Sequence, residues 1–346
     1  MRKILFIKLG AIGDVIQAAA AVLELKQQDP QTRVDWIVGA SISKLLQDLS
    51  FIDRLIPIPD QALYSGSYAR RIYAFISGLF ILVKNARAYD AIYIGHTNHL
   101  YRLFATPAIL RNFPWRALRP IIFTPPIAEN RVSAYFAFLS GARSFQVAAS
   151  KALLSLGGLM LANVPKTNHL PEVHSKSIVL VPGGSKNLLR DDMLRRWPVE
   201  RYAELARKLI GEEYAVVLVG GKDDEWVLPY FQSLKVVNLI GKTSLIELLK
   251  IFNHSQLVIS HDTGPLHMAT LTKTPILALF GPTYASAVVP LERIQLKAID
   301  ANSKVACAPC YDGKNYALCH DPICMKSHSV DTVHADAMKL LVERMH

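Results

Sequence analysis

The sequence predicts an α/β protein built from two doubly wound domains, each with a parallel β-sheet. Short apolar runs that suit buried parallel strands alternate with helix-length segments, which is the pattern of βαβ units. The pattern also starts twice, because a strand leads into a glycine-containing turn at residues 10–14 and again at residues 182–185. A length of 346 residues is long for one domain and sufficient for two domains that each bury a core.

Composition and charge narrow the class of protein. Hydrophobic residues make up 51% of the chain and charged residues 19%, which is typical of a globular protein without disordered tails. Lys and Arg number 39 against 28 Asp and Glu, so the formal net charge is +11. That excess favours acidic partners, and charge alone leaves nucleotide phosphates, anionic lipid head groups and nucleic acid open.

The first half of the chain begins with a βαβ unit. Strands are predicted at residues 3–9, 34–38, 52–58 and 91–94, and helices at residues 15–26 and within the arginine-containing stretch 100–119. The first two strands and the helix between them imply a parallel sheet with a right-handed crossover. Open sheets of this kind bind ligands beyond the carboxyl ends of their strands, so the turns there are candidate site residues.

The turn at residues 10–14 resembles a dinucleotide-binding loop only in part. Gly10 and Gly13 are spaced G-x-x-G rather than G-x-G-x-x-G, and no acidic residue follows Val38 to bind a ribose. The turn does present Asp14 at a helix start above the carboxyl edge of the sheet. Asp14 is therefore a candidate site residue, and the alternative is a carboxylate that only caps its helix.

Polar residues also follow the predicted strand at residues 91–94. His96 and Asn98 come directly after it, at the edge of the sheet where Asp14 is expected. Their position suggests that they belong to the same site. The alternative is that the two histidines of this loop, His96 and His99, are solvated side chains.

The second half of the chain repeats the order of the first. Prolines and polar residues interrupt the pattern over residues 163–176, which predicts domains at residues 1–170 and 171–330. Strands are predicted at residues 178–181, 215–219, 236–239 and 257–259, and helices at residues 198–210 and 244–253. Glycine-containing turns follow the first two of these strands.

The segment Ser260–His267 joins the last of these strands to a helix, and the rest of the chain can be arranged around it. Asp262 and Thr263 are residue types that cap helices, and Gly264 permits a tight turn or a close approach to a ligand. Unpaired amides and the helix dipole attract anions to a helix start, where His267 adds a further donor. The segment predicts an anion site, and the alternative is an ordinary capped helix with a structural histidine.

Two apolar segments raise the question of a membrane. Lys8 and Asp14 interrupt the apolar run at the start of the chain, so we expect no signal peptide and a cytosolic protein. The later apolar run at residues 72–83 is shorter than the about 20 residues that span a bilayer. Aromatic and basic residues over 64–84 suit a helix lying on an anionic membrane face, and the alternative, preferred on sequence alone, is a buried core helix.

Four cysteines occupy a short segment near the end of the chain. Cys307, Cys310, Cys319 and Cys324 are spaced C-x₂-C-x₈-C-x₄-C. Such spacing in a cytosolic protein is compatible with a structural zinc or iron–sulfur site. The alternative, which we adopt, is a loop lined by thiols that holds no metal.

Four motifs, taken together, resemble a known family. They are Lys8–Asp14, Pro182–Gly184 with the following Arg196–Pro198, Ser260–His267, and Leu279–Thr283. Their order and spacing are similar to glycosyltransferase family 9, the family of ADP-heptose:lipopolysaccharide heptosyltransferases. The resemblance implies the GT-B fold, with two Rossmann-like domains facing across a cleft, the first for the acceptor and the second for the nucleotide sugar. It also implies that the last helix, within residues 331–346, packs back on the first domain.

The resemblance also implies roles for individual residues. Asp14 becomes the general base. The implied donor-binding residues are Ser185, Lys186, Arg195, Glu225, Asp262, Thr263, Gly264 and His267. The acceptor-side candidates, selected by their positions in the sequence, are Gly13, His96, Asn98, Arg70 and Arg71. The family places a lysine just before the Trp-Pro pair, where this chain has Arg195 and Arg196, and arginine keeps the charge and can bind phosphate through two donors.

The expected reaction is inverting transfer of heptose from ADP-heptose to the lipopolysaccharide core or a related lipid A-type acceptor. A base takes the proton of the acceptor hydroxyl, and amides and arginines stabilise the departing diphosphate, so no metal cofactor is required. The expected location is cytoplasmic, with peripheral contact to an anionic membrane at its inner face, and no nucleic acid is bound. The alternatives are transfer of another nucleotide-activated sugar to a cell-surface glycan, a dinucleotide-dependent oxidoreductase and, from charge alone, a nucleic-acid binder.

Overall fold

The computed structural model contains two parallel β-sheets with helices, in two compact units. It describes residues 1–64, 67–97, 99–112, 119–124, 126–141, 148–163, 176–184, 192–301, 304–312 and 315–343. The first unit comprises residues 1–126 and 131–152, and the second comprises residues 127–130 and 153–346. The predicted class, α/β with two doubly wound parallel sheets, is confirmed.

The first unit has a sheet of five strands among its described residues. The strands are β1 Lys3–Ile7, β2 Arg33–Gly39, β3 Arg54–Ile58, β4 Ala91–Ile94 and β5 Ile121–Ile122. The helices are α1 Ile12–Gln28, α2 Ala40–Leu46, α3 Asp60–Tyr64, α4 Tyr68–Asn85, α5 His99–Asn112 and α6 Arg131–Ser140. All neighbouring strands are parallel in the order β3-β2-β1-β4-β5, so the order reverses between β1 and β4.

Alternate residues of β1 build the two sides of this unit's core. Leu5 and Ile7 join the apolar cluster that includes residues of α4 and α5. Phe6 points to the other side, where its ring lies 4.7 Å from Trp36 of β2 and 6.3 Å from Tyr135 of α6. Each fully buried side chain of this size contributes about 1.5–3 kcal/mol, which explains why a short apolar strand suffices at the centre of the sheet.

The helix α4 differs from the preferred prediction. Its residues Ala74, Gly78 and Leu82 are buried, but the opposite side exposes large apolar side chains. The prediction of a buried core helix is therefore wrong for that side. Among the described residues, no helix combines the length and the apolar character needed to cross a bilayer.

The second unit has a sheet of six strands in the part that the structure describes. They are β6 Ser177–Leu180, β7 Ala215–Leu218, β8 Val236–Asn238, β9 Leu257–His261, β10 Ile276–Leu279 and β11 Leu296–Ile299. The helices are α7 Ala149–Ala162, which starts in the first unit, α8 Val199–Gly211, α9 Leu245–His254, α10 Gly264–Thr270, α11 Ala285–Val288, α12 Ile323–Lys326 and α13 Val330–Glu343. The parallel order β11-β10-β9-β6-β7-β8 reverses between β9 and β6.

The last helix packs on the second unit. Val333, Ala337, Leu340 and Leu341 of α13 are buried in the core cluster of that unit, and the helix contacts α8, β9 and β10. Their spacing of four, three and one residues forms one apolar stripe, which the second core covers. Through residue 343 these contacts group α13 with the second unit, whereas residues 331–346 were expected to pack back on the first domain; residues 344–346 lie outside the described chain. The units divide within α7, between Ala152 and Leu153, earlier than the predicted boundary at residue 170.

Two adjacent glycines of α7 provide a test of this packing. A Cβ on Gly157 would lie 1.8 Å from the carbonyl oxygen of Leu271, whereas a Cβ on Gly158 would have nothing within 4 Å. We expect Gly157→Ala to lower the free energy of unfolding by about 2 kcal/mol or more, because the backbone must move. Gly158→Ala is the matched control and should raise it by about 0.5–1 kcal/mol through helix propensity. Urea unfolding measures both, and equal midpoints would contradict the contact with Leu271.

Candidate active site

A partly buried ion pair lies at the carboxyl edge of the first sheet, where the strand order reverses. Lys8 directly follows β1 and is 2% exposed, and its Nζ lies 2.7 Å from Oδ2 of Asp14 in the first turn of α1. The Asp14 side chain is 39% exposed, so a ligand can reach the carboxylate while the ammonium is enclosed. Ala11 occupies the N-cap position of α1, which places Asp14 at the third helical residue rather than at the cap.

His96, after β4, lies beside this ion pair. The β1–β4 register places Ile7 next to Ile94, which brings the residues after both strands together. The His96 ring stacks on Tyr101 with 4.9 Å between ring centres. Burial, with a smaller effect of the Lys8 charge, lowers the pKa of His96 to about 4, against the opposing effect of Asp14. The imidazole is therefore neutral at neutral pH.

The other predicted acceptor-side residues occupy different places. Gly13 is buried in α1. Arg70 and Arg71 are exposed in the first turn of α4, and Arg71 donates from Nε to the carbonyl oxygen of Leu63 at 3.2 Å. Asn98 lies outside the described residues. Among the described residues, His96 therefore interacts with the Lys8–Asp14 pair, whereas the contact seen for Arg71 of α4 is with Leu63.

Asp224 connects two glycine turns at the carboxyl edge of the second sheet. Its carboxylate is buried and accepts from the Gly184 amide at 2.6 Å and from the Gly221 amide at 2.8 Å. The first amide follows β6 and the second follows β7, its neighbour in the sheet. A Cβ on Gly183 would lie 2.6 Å from the Asp224 side chain, so the chain needs glycine there. One carboxylate therefore fixes both turns.

The turn after β6 also touches the turn after β9. Gly184 has a φ of 87°, in the left-handed region that favours glycine, and a Cβ there would lie 2.3 Å from Oγ1 of Thr263. Thr263 is the N-cap residue of α10, but its side chain makes no capping hydrogen bond. Gly264 is the first residue of that helix, and His267 is half-buried one turn along. The predicted anion site thus lies where the strand order of the second sheet reverses.

Asp262 is held from two directions. It is 3% exposed, and its Oδ2 accepts from the Thr283 hydroxyl at 2.8 Å and pairs with Arg195 at 3.2 Å. Arg195 also pairs with Asp192 at 3.3 Å and donates to the hydroxyl of Tyr316. Burial acts to lower the pKa of Arg195, but Asp262, Tyr316 and Asp192 together raise it above its ordinary value. Two carboxylates therefore offset the charge of this arginine.

Part of the cysteine-containing segment helps to fix Arg195. Tyr311 and Tyr316 form an antiparallel bridge, and the Arg195 guanidinium lies 5.8 and 5.5 Å from their ring centres. The amides of Cys310 and Tyr311 both donate to the carbonyl oxygen of Pro282, next to Thr283. Tyr311 and Tyr316 were not selected from the sequence, since no spacing marks an aromatic side chain as a partner of an arginine far along the chain. Thr283 was noted only as the end of the Leu279–Thr283 motif.

Arg196 contacts the Gly184 turn and Trp226. Its Nε donates to the Gly184 carbonyl oxygen at 2.9 Å, and its guanidinium lies 5.5 Å from the ring centre of Trp226, which is exposed. Glu225, selected from the sequence, is an exposed neighbour of Trp226 and lies near Gly241. Two further predicted donor residues, Ser185 and Lys186, lie outside the described residues.

The histidine at the end of β9 lies inside the protein core. His261 is fully buried, and its Nδ1 lies 3.0 Å from the hydroxyl of Tyr202. Burial lowers the pKa of His261 to about 3, so the ring is neutral. Its enclosure within the core keeps it from contacting a substrate directly.

The four cysteines carry free thiols. Cys307 is exposed and Cys324 is buried, and burial raises the pKa of the Cys324 thiol. A Cβ on Gly281 would lie 2.8 Å from its sulfur, so Cys324 packs directly under the Leu279–Thr283 motif. Over the described residues, which include all four cysteines, no group of three or more His, Cys, Asp or Glu side chains is arranged to hold a metal ion.

Comparison with known protein families identifies the family of this chain. A family model described as glycosyltransferase family 9 (heptosyltransferase) matches residues 124–317, which is more than half of the chain. The chain belongs to glycosyltransferase family 9. The matched region contains the turns after β6, β7 and β9. The resemblance inferred from the four motifs is confirmed.

Individual relatives agree with this membership. Lipooligosaccharide heptosyltransferase 2 of Haemophilus influenzae is 38% identical over 104 residues, covering 28% of this chain and 30% of that protein. The chain thus spans about a third of the length of the first curated relatives that it matches. The lipopolysaccharide core heptosyltransferase OpsX of the same species is 23% identical over 302 residues, or 81% of this chain and 79% of that protein.

A solved structure shows the fold. The Escherichia coli ADP-heptose lipopolysaccharide heptosyltransferase II is 20% identical, with a TM-score of 0.64 over 99% of this chain and 100% of that chain. The family 9 chain has the GT-B fold, as the motifs imply.

Proposed function

We propose that this chain is an inverting glycosyltransferase that moves heptose from ADP-heptose to the lipopolysaccharide core or a related lipid-linked acceptor. One observation carries the reaction type, namely an exposed carboxylate, Asp14, held by the enclosed ammonium of Lys8. Family membership supports it, as do the relatives, whose names are those of heptosyltransferases. Membership in a glycosyltransferase family also speaks against the dinucleotide-dependent oxidoreductase.

In the proposed reaction Asp14 is the general base. Its carboxylate takes the proton from the acceptor hydroxyl while that oxygen attacks the anomeric carbon of the donor sugar. The bond from that carbon to the diphosphate oxygen breaks, which releases ADP and inverts the configuration. Lys8 fixes the carboxylate at 2.7 Å, and the 39% exposure of Asp14 leaves room for the acceptor.

The donor diphosphate is assigned to the second unit. Thr263, Gly264 and His267 supply a hydroxyl, a helix-start amide and an imidazole within one short segment. Asp224 holds the neighbouring turns and Asp262 is held by Thr283 and Arg195, so these carboxylates position the segment. Such fixed donors stabilise the charge that develops on a leaving diphosphate.

The two neighbouring arginines take different roles in this proposal. Arg195 is paired with Asp192 and Asp262, so we assign it to holding Asp262. Arg196 lies at the Gly184 carbonyl and over Trp226, so we assign it to the charge of the nucleotide, with Glu225 beside the nucleoside. The nucleotide sugar is the only small molecule in the proposal, and no metal ion takes part in it.

The lipid-linked acceptor implies a place of action. We propose peripheral contact with the inner face of the cytoplasmic membrane, where such an acceptor is anchored, and no nucleic-acid partner. The net charge of +11 supports an anionic surface as partner. Mass spectrometry of the lipopolysaccharide core from a strain that lacks the protein identifies the sugar and the acceptor, and an unchanged core contradicts the proposed function.

Nucleotide binding tests the donor assignment. Calorimetry on the full chain should show ADP binding about tenfold or more tighter than UDP or dTDP, as expected for a site that recognises adenine. Thr263→Val keeps the side-chain size and removes the hydroxyl, so ADP affinity should fall about tenfold. Thr332→Val, at an exposed position of α13, is the matched control and should leave it unchanged. Tighter binding of UDP than of ADP would overturn the assignment of adenine.

A further inference from the structure

The exposed side of α4 carries large apolar side chains in one row, which we call the α4 stripe. Its members and their exposed fractions are Ile72 42%, Tyr73 75%, Ile76 59%, Phe80 68% and Val83 59%. At 3.6 residues per turn these five positions fall within about 100° of arc. A contiguous row of this kind on a soluble chain usually marks an interaction site.

The fold does not require the α4 stripe. The opposite side of α4 packs inward through Ala74, Gly78 and Leu82, against β3 and α5. The rings of Phe75 and Phe104 add a contact between α4 and α5, with 6.2 Å between their centres. The helix is therefore held by one face, and its other apolar face is available to a partner.

The chain segment that contains the α4 stripe is predominantly positive. Residues 61–128 contain eight Lys or Arg and a single acidic residue, Asp90, so this segment holds seven of the eleven excess positive charges of the chain. Neither α4 nor α5 contains Asp or Glu. Arg70 and Lys84 are exposed on α4, and Arg102 and Arg111 on α5. An acidic partner is complementary to this surface, whereas a second copy of it is repelled.

A cationic cavity lies beyond the carboxyl ends of these helices. Its volume is ≈ 320 Å³. Its charged lining residues are Lys3, Arg33, Arg87, Arg111 and Asp35. Arg87 lies two residues after the end of α4 and Arg111 lies in the last turn of α5, so the cavity adds positive charge at one end of the surface.

We propose that the α4 stripe docks on an anionic lipid bilayer, with its aromatic and aliphatic side chains in the interface and the surrounding Arg and Lys side chains on lipid phosphates. Rings with one polar end suit the head-group level of a bilayer, and basic residues beside an apolar helix face add electrostatic attraction. The reason for the contact, access to a lipid-linked acceptor, rests on the proposed function. The surface itself is defined by the exposure and charge of α4 and α5.

Vesicle co-sedimentation of the full chain tests this inference. The protein should sediment with vesicles of phosphatidylglycerol and phosphatidylcholine at low salt, remain in solution with phosphatidylcholine alone, and be released at high salt by screening. Ile76→Ser with Phe80→Ser should reduce partitioning about tenfold or more, and Lys84→Gln about fivefold. Ile294→Ser and Leu318→Ser, each at a position 93% exposed in the second unit, are the matched controls and should bind as the parent does.

Several outcomes would overturn the docking surface. The first is that the parent protein stays in solution in the presence of anionic vesicles. The second is that the stripe variants bind these vesicles as well as the control variants do. A third is a dimer in sedimentation equilibrium that Ile76→Ser with Phe80→Ser dissociates, which would make the stripe an interface between two copies.

Sugar transfer to a delipidated core oligosaccharide distinguishes failure of the docking surface from failure of the proposed function, because stripe variants should retain this transfer. If the parent protein itself shows no transfer to this acceptor, the proposed function is contradicted, and vesicle binding remains an independent result.

Discussion

Asp14→Asn is expected to lower kcat by about 10²–10⁴ while ADP affinity stays nearly unchanged. Asparagine preserves the shape of the side chain but removes the group that accepts the acceptor proton. ADP affinity is expected to persist because the diphosphate is assigned to Thr263, Gly264 and His267 in the other unit. Turnover with an acceptor extract is measured beside ADP calorimetry, at a temperature well below the thermal midpoint of each variant.

The pairing of Asp14 with Lys8 requires a control for stability. Asp14→Asn leaves the enclosed ammonium of Lys8 without its carboxylate, and because Asp14 is 39% exposed we expect a moderate loss of about 1–2 kcal/mol. The double variant Lys8→Met with Asp14→Asn removes both charges, so stability should recover and turnover should not. Turnover near the parent value in Asp14→Asn would contradict the general base. The next candidate would be His96, which lies at the same strand edge with a pKa of about 4.

The order of elements could be predicted from the sequence because buried parallel strands are local apolar runs. The strand predicted at residues 91–94 is β4 as observed, and the segment Ser260–His267 does join a buried strand to a helix. Placement of α13 could not be predicted in this way. Its apolar stripe shows that one face is covered, but only the packed structure shows that the second core covers it. The exposure of the α4 stripe could not be predicted for the same reason, since apolar composition alone does not distinguish a buried helix face from an exposed one.

The site could be predicted as a region, and less well as individual side chains. The sequence selects Glu225, whereas the adjacent Asp224 is the buried carboxylate that accepts from two glycine amides. Likewise Arg195 and Arg196 are indistinguishable by residue type. The short 3-10 helix Met193–Arg195 turns the first towards Asp262, and the extended backbone that follows lets the second reach the Gly184 carbonyl. Which neighbour faces inward depends on such turns, and these depend on contacts far along the chain.

Asp224→Asn is expected to lower the free energy of unfolding by about 1–3 kcal/mol and ADP affinity by about 10-fold to 100-fold. Oδ1 of Asp224 accepts from the Gly184 amide and Oδ2 from the Gly221 amide. Asparagine has one acceptor oxygen, so its NH₂ group would face the other backbone N–H. The side chain is buried, and glycines surround it where a Cβ would clash, so water has little room to replace the lost acceptor.

The effect on ADP affinity follows from the contact between turns. The Gly184 turn lies against the Thr263 side chain, so a displaced turn moves the hydroxyl that we assign to the diphosphate. Asp223→Asn is the matched control, because Asp223 is the exposed neighbour on the same 3-10 helix, and it should leave stability and affinity close to the parent values. Urea unfolding and ADP calorimetry are run on both variants, the latter under conditions where each is fully folded. A folded Asp224→Asn protein that binds ADP as tightly as Asp223→Asn does would show that the two glycine turns do not position the donor site.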